Sequence, residues 1–201
     1  GHDICPPPHN YYKIDDWLVF SSKDLQTWTE HKVPLRATDF RWATGEAWAS
    51  QVIKRGDRYY WYVTVEHKAE GGKGGKAIGV AVSDSPVGPF KDARGSALVT
   101  NNMTTQYTSI GWDDIDPTVW IGKDGAAYLI WGNTQCYIAR LKDNMTELDG
   151  DIKTIRIDGI NTPADPQPGK PQYTEAPWIH FYKGKYYLSF AMEFPEKIGY
   201  A

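Results

Sequence analysis

Two acidic residues hold matching places in the chain. Asp116 lies nine residues before Gly125 and Glu175 nine residues before Gly184, and each is followed within two residues by a proline, in IDPTVW and TEAPWI. Proline and the residue before it favour extended backbone, and proline removes a donor, so both acids are expected at the mouths of strands. Two carboxylates that share a cavity can do acid–base work once their surroundings separate their pKa values. Hydrolysis of a glycosidic bond asks for that: a protonated acid beside the leaving oxygen, and an ionised carboxylate across the sugar that activates water or attacks. Glu175 precedes Trp178 and an aromatic strand, surroundings expected to disfavour its charged form. Asp113 and Asp114, next to Asp116 in sequence, are expected to add like charge. An acid at a strand start is ordinarily a turn-facing residue with no such role; the shared spacing is what singles out this pair.

Other side chains near these positions could serve a ligand. Trp48 in EAWASQ sits where an inner strand begins, as a platform for a sugar ring or as a core tryptophan between sheets. His67 ends WYVTVEH and Asn133 follows Trp131 in WGN; each could bond a ligand or simply satisfy a buried partner. The first repeat carries Ala47 at the place of the two acids, and Glu46, one residue away, is expected to face the other side of the strand. Trp28 in DLQTW reads as packing.

The elements that must position these residues are strands. Apolar blocks such as WLVFSS, WASQVIKRGDRYYWYVTVEH, AIGVAVSD, IDPTVWIGKDGAAYLIWG, CYIARLK, DIKTIRIDG and PWIHFYKGKYYLSFAM alternate and end at Gly, Asp, Asn or Pro. No segment sustains a helical period over three turns, and 19 Gly with 13 Pro punctuate the chain. VIKRGDRYYWYV, VWIGKDGAAYLIW and WIHFYKGKYYLSF share one plan: a strand, a turn with glycine, then an aromatic strand. Their turn glycines, Gly56, Gly125 and Gly184, are 69 and 59 residues apart. Each hairpin is followed by a further strand of small residues, in AIGVAVSD, CYIARLK and KIGYA. Several strands per unit at such a period predict the blades of an all-β propeller, whose innermost strands converge on one axis.

Composition narrows the ligand. With 201 residues, one domain is expected. A net charge of −3 and the lack of a basic run argue against nucleic acid and against an anionic membrane surface. No apolar run is long enough to span a membrane as a helix. Nine Trp and 13 Tyr suit sugar rings, although sheet packing also enriches them. Cys5 and Cys136 match no metal spacing and make no disulfide framework.

The ordered set GHD, VFSSKDLQTW, AWASQVI with RYYWYVTVEH, AIGVAVSDSPVGPF, IDPTVW, WGN and TEAPWI with KIGYA resembles glycoside hydrolase family 43 along the whole chain. These are five-bladed β-propeller enzymes acting on arabinose- and xylose-containing polysaccharides. The resemblance implies that Glu175 is the general acid and Asp116 the acid that orients it and sets its pKa. It implies inversion at the anomeric carbon, with a base carboxylate about 6.5–9.5 Å from the acid. His2 and Asp3 are pocket residues by resemblance only. No cofactor is required for the chemistry; a structural calcium in the parent protein is what the resemblance allows.

The chain also departs from the family pattern. The family's base is an aspartate in an ADP motif on the first inner strand, which this sequence does not contain. Asp3 matches residues that follow that strand. ADPQ at 164–167 has the letters of the motif but lies out of order in a polar insert, followed by no strand. The expectation is therefore one partial propeller over 1–201, about three to four blades cut at both ends, from a secreted or periplasmic arabinofuranosidase or xylosidase. Its ligand is expected to be arabinoxylan or a related oligosaccharide, with a carbohydrate-binding module appended outside this chain. The 201 residues alone are expected to lack hydrolytic activity. A non-catalytic sugar-binding propeller is the alternative.

Overall fold

The computed structural model describes residues 13–67 and 75–201. Four two-residue strands come first, β1 (Asp16–Trp17), β2 (Phe20–Ser21), β3 (Thr29–Glu30) and β4 (Leu35–Arg36); β1 pairs with β4 and β2 with β3. The next sheet holds β5 (Ala43–Gly45), β6 (Ser50–Arg55), β7 (Arg58–His67), β8 (Gly75–Ser83), β9 (Lys91–Asp92) and β10 (Val99–Thr100). In it β7 lies between β6 and β8, and β10 closes the outer edge. A four-stranded sheet runs in chain order through β11 (Thr118–Ile121), β12 (Ala127–Trp131), β13 (Tyr137–Leu141) and β14 (Lys153–Thr154), and a three-stranded one through β15 (Trp178–Tyr182), β16 (Lys185–Met192) and β17 (Lys197–Tyr200). All pairings between these strands are antiparallel. Helical structure among the described residues is limited to two single turns, Ala37–Asp39 and Asn101–Met103, and no helix is long and apolar enough to cross a membrane.

Side-chain alternation stacks these sheets face on face. Along β7, Tyr60 and Tyr62 enter the core shared with the four-stranded sheet, while Trp61, Val63 and Val65 enter the core shared with β1 and β4. Along β12, Leu129 and Trp131 face back toward β7, and Tyr128 and Ile130 face forward to Leu188 and Phe190 of β16. The sheets of β7 and β12 thus have two buried faces, which is why these strands read as near-continuous apolar runs, whereas the last sheet leaves Tyr182, Tyr186, Ile198 and Tyr200 exposed. Each fully buried large side chain contributes about 1.5–3 kcal/mol. Neighbouring first strands β6, β11 and β15 contact one another, so they line the inner side of a ring. Among the described residues the strands make sheets of six, four and three strands and two sheets of two.

Some local expectations need correction. DIKTIRIDG contributes only the two residues of β14, and VFSS only β2. Trp28 is 54 % exposed, its indole N–H bonded to the Leu25 carbonyl at 3.2 Å, so it does not pack a blade. The loop it belongs to is organised by Asp24, whose carboxylate accepts the backbone N–H groups of Gln26 and Thr27. Cys136 is buried and unpaired, its thiol pushed up to about 12 by burial. Cys5 lies outside the described residues.

Candidate active site

A single inserted residue shapes the mouths of β11 and β15. Thr118 stands opposite Ile130, yet the Gly132 N–H donates to Ile115 at 2.9 Å, so Asp116 is an extra residue with no place in the ladder. Trp178 stands opposite Ser189, yet the Ala191 N–H donates to Glu175 at 2.8 Å, which leaves Ala176 as the extra residue. Both are left-handed, Asp116 at φ 58° and Ala176 at φ 55°, and both immediately precede a proline. Such backbone is uncommon outside glycine and concentrates at functional sites.

The equivalent of Asp116 is therefore Ala176, and that of Glu175 is Ile115. Counting back from the turn glycines puts the two acids one step out, because the turn between β11 and β12 spans 122–126 and that between β15 and β16 only 183–184. The acids nonetheless meet. Asp116 Oδ2 accepts the Ala176 N–H at 3.0 Å, so its carboxyl reaches the residue that follows Glu175. Burial, then the Glu175 charge and a smaller contribution from Glu196, push Asp116 up to about 7 against the lowering effect of the Ala176 bond.

Each acid is held from its neighbour. Thr64, fully buried on β7, accepts the Asp116 N–H on Oγ1 at 3.1 Å and the Trp48 N–H on its carbonyl at 3.0 Å. Glu175 Oε2 accepts Asn133 Nδ2 at 2.8 Å. The Thr134 hydroxyl donates to Asn133 Oδ1 at 2.8 Å, which turns the amide so that its nitrogen faces Glu175. The Asn133 N–H is bound to the Asp113 carbonyl at 2.9 Å and the Thr134 N–H to the Thr174 carbonyl at 2.6 Å. A chain of contacts thus runs Trp48, Thr64, Asp116, Ala176, Glu175, Asn133 across three inner-strand mouths.

Other expected residues go elsewhere. Asp113 and Asp114 are 1 % and 0 % exposed and turn into the blade core. Asp113 accepts the Tyr137 hydroxyl at 2.8 Å and Asn101 Nδ2 at 3.1 Å; Asp114 accepts the Trp131 indole N–H at 2.8 Å and the Thr104 hydroxyl at 3.0 Å. Burial raises both, Asp114 to about 7 with the Asp113 charge adding to it, and the like charge felt by Asp116 comes from Glu175 and Glu196 instead. His67 joins the same buried network through Asn101 Oδ1 at 3.2 Å. Trp178, expected to shield Glu175, is itself 49 % exposed. His2 and Asp3 lie outside the described residues. Asp165 of ADPQ sits in a turn, bonded to Gln167 Nε2 at 2.7 Å and 3.2 Å from the Arg156 guanidinium, so it starts no strand.

Sequence reasoning set aside Glu46, and it overlooked Lys76 and Glu66. Glu46 is left-handed at φ 58° and accepts both the Trp48 indole N–H at 3.0 Å and the Lys76 ammonium. Burial would raise its pKa; bonds from Lys76 and Trp48 outweigh that and lower it. The signal was a lysine opening the otherwise small and apolar strand GKAIGVAVS.

Two clefts lie away from the acids. One of about 740 Å³ is lined by residues such as Arg94, Tyr107 and Lys153, the other of about 780 Å³ by Arg156, Phe190 and Tyr200. Neither includes Asp116 or Glu175, which are set instead at the mouths of the inner strands. Among the described residues no group of three or more His, Cys, Asp or Glu could hold a metal ion.

Blades arranged around an axis with paired acids at the inner mouths define a propeller of the glycosidase type. The chain belongs to glycosyl hydrolases family 43, whose model matches residues 8–199. It is 29 % identical to xylosidase/arabinosidase 43A of Humicola insolens, over 90 % of this chain and 62 % of that protein. It is also 29 % identical to an arabinoxylan arabinofuranohydrolase of Paenibacillus polymyxa, over 92 % of this chain and 30 % of the relative. Among solved structures, an α-L-arabinofuranosidase of Clostridium thermocellum matches with a TM-score of 0.75 and 32 % identity, covering 99 % of this chain and 61 % of that one. A β-xylosidase/α-arabinofuranosidase from a compost metagenome, in a calcium-free form with xylotriose, matches with a TM-score of 0.78 and 26 % identity, covering 100 % and 67 %. The fold is that of the family's five-bladed propeller, and the chain spans less than two thirds of the length of these curated relatives.

Proposed function

We propose that this chain carries the acid half of a glycosidase site that releases arabinose or xylose units from arabinoxylan-type polysaccharides with inversion. Glu175 donates its proton to the glycosidic oxygen as the bond to the anomeric carbon breaks; water attacks the opposite face and loses its proton to a carboxylate supplied from outside the described residues. Asn133, bonded to Glu175 Oε2, leaves Oε1 free to face the leaving oxygen. Asp116 orients the segment that carries Glu175 from the neighbouring blade through the Ala176 N–H. The observation that carries this reading is the Asp116 carboxyl bound to the Ala176 N–H at 3.0 Å, which sets the two acids side by side at neighbouring inner-strand mouths.

The test compares the 201-residue chain with a longer chain that includes its flanking sequence, on arabinoxylan oligosaccharides and on nitrophenyl arabinofuranoside and xyloside. The longer chain should turn over both, and the 201 residues neither. Glu175→Gln in the longer chain should lose about 10²–10⁴-fold on the oligosaccharides, the usual worth of a general acid. The loss should be much smaller on the nitrophenyl glycosides, whose leaving group needs little protonation. Equal losses on both would refute the assignment of Glu175. Turnover by the 201 residues alone would refute the external base.

A further inference from the structure

The cleft of about 740 Å³ opens between two neighbouring blades at their outer edges. One wall comes from Arg94 and Leu98, before β10, and from Gln106 and Tyr107 after it; the other is the segment from Glu147 to Lys153 that leads into β14. Two bonds join the walls: the Arg94 guanidinium donates to the Thr146 carbonyl, and the Tyr107 hydroxyl to the Ile152 carbonyl at 3.2 Å. Each wall is also held from behind. Asp92 Oδ1 accepts the N–H groups of Arg94 and Gly95, both at 3.0 Å, and the Tyr107 ring lies 5.6 Å from that of Tyr137. Glu147 is bonded to Lys142 and, at 2.9 Å, to Asn144.

The space between these walls has the chemistry of a ligand site. Its volume lies within the range of about 300–1,000 Å³ common to small-molecule sites. Arg94 and Lys153 bring positive charge, Glu147 and Asp151 negative charge in equal number, so the lining as a whole is neutral. Among the described residues the Gln106 amide, the Asp151 carboxylate and the Lys153 ammonium have no side-chain partner. Arg94 donates to a carbonyl of the opposite wall, which leaves the Asp151 carboxylate available. Leu98, 4 % exposed, and the half-buried Leu148 and Ile152 add apolar lining. Donors and acceptors beside apolar surface, with charges balanced, suit a neutral ring rich in hydroxyls: each hydroxyl gives and takes a hydrogen bond while the C–H face packs on the apolar side chains.

We propose that this cleft is a second binding site for neutral pentose polysaccharide, on the outer wall of the propeller, with Gln106, Asp151 and Lys153 as its polar contacts. The choice of polymer rests on the hydrolase reading of the acid site. β14 lies three strand spacings, about 14 Å, from the inner strand β11, so a nitrophenyl glycoside held at the acids does not reach the cleft. A polymer reaches both, and once bound at one site it meets the other at high effective concentration.

The experiment uses the longer chain in its Glu175→Gln form, so that polymer is not consumed, and follows its retardation in native gels containing soluble arabinoxylan, with polygalacturonate gels as the anionic comparison. Asp151→Ala/Lys153→Ala leaves the net charge unchanged and should weaken retardation by arabinoxylan about three- to tenfold, the size of one or two net hydrogen bonds. Gln106→Ala should weaken it in the same direction. With Glu175 restored, the double variant should raise KM on the polymer by a similar factor and leave turnover of nitrophenyl arabinofuranoside unchanged. Unchanged retardation, or a KM that rises equally on polymer and nitrophenyl glycoside, would overturn the proposal. Retardation lost in polygalacturonate but kept in arabinoxylan would overturn it too, by showing an anion site. If the double variant does not fold, Gln106→Ala alone carries the test, and unchanged retardation there is equally fatal. Failure of the hydrolase reading is distinct, because Glu175→Gln would then leave oligosaccharide turnover intact whatever the gels show.

Discussion

The backbone N–H of Ala176 donates to the carboxyl of Asp116 at 3.0 Å, so the acid of one blade is tied to the residue that follows the acid of the next. The bond tolerates either protonation state of Asp116, but burial and the Glu175 charge favour the neutral one. Asp116 has an ordinary value of 3.8 and a folded value of about 7, so the folded chain binds a proton that the unfolded chain releases between those limits. Stability is then greatest below about pH 4 for this group and falls as pH rises toward 7.

Asp116→Asn removes that dependence. The melting temperature of the variant minus that of the parent chain should be small near pH 4 and grow in the variant's favour up to pH 8. Thermal unfolding followed by circular dichroism across that range checks it; a difference that stays flat would show that Asp116 does not titrate in this window.

Thr64→Val keeps the shape of the side chain and removes the oxygen that accepts the Asp116 N–H. A buried N–H left without a partner costs about 1–3 kcal/mol. Urea unfolding should register that loss, Thr64→Ser should recover most of it, and Val should also lower kcat in the longer chain because Asp116 loses its anchor.

Asn133→Ala frees the oxygen of Glu175 that the amide holds. Small misplacements of a reacting group cost up to about 10²-fold, so kcat on arabinoxylan oligosaccharides should fall by roughly 10- to 100-fold while KM changes little. A fall in KM-dependent affinity with unchanged kcat would place Asn133 on the sugar instead of on Glu175.

Gly132→Ala tests the segment that presents Asn133. Gly132 has φ 127°, and a methyl there would lie 2.1 Å from the Gln135 carbonyl oxygen and 2.8 Å from the Tyr137 ring. Strained backbone and a clash with main chain together should destabilise by about 2–4 kcal/mol, read from the urea midpoint.

The sheets were legible because the near-continuous apolar runs in RYYWYVTVEH and AAYLIW report strands buried on both faces, and the turn glycines mark where hairpins close. The acid pair was legible from its prolines. Its exact equivalence was not, because an inserted residue at Asp116 and at Ala176 leaves no mark in spacing when the turns differ in length. The role of Asp113 and Asp114 was hidden for another reason: their partners Tyr137, Trp131, Thr104 and Asn101 lie up to 24 residues away and meet them only in the folded sheet. Lys76 was overlooked because its two carboxylates come from separate strands.

The inserted residue before each of these two prolines gives the blades of β11 and β15 two adjacent addresses. A side chain written at one of them is spoken to by the next blade, as Asp116 is by Ala176; written one step earlier, it is spoken to by the preceding blade, as Glu175 is by Asn133. Ile115 and Ala176 occupy the two remaining addresses in silence. Exchanging letters between such neighbours would re-aim a functional group while the main chain stays where it is, so this scaffold can be given new chemistry by rewriting pairs of positions and leaving its architecture alone.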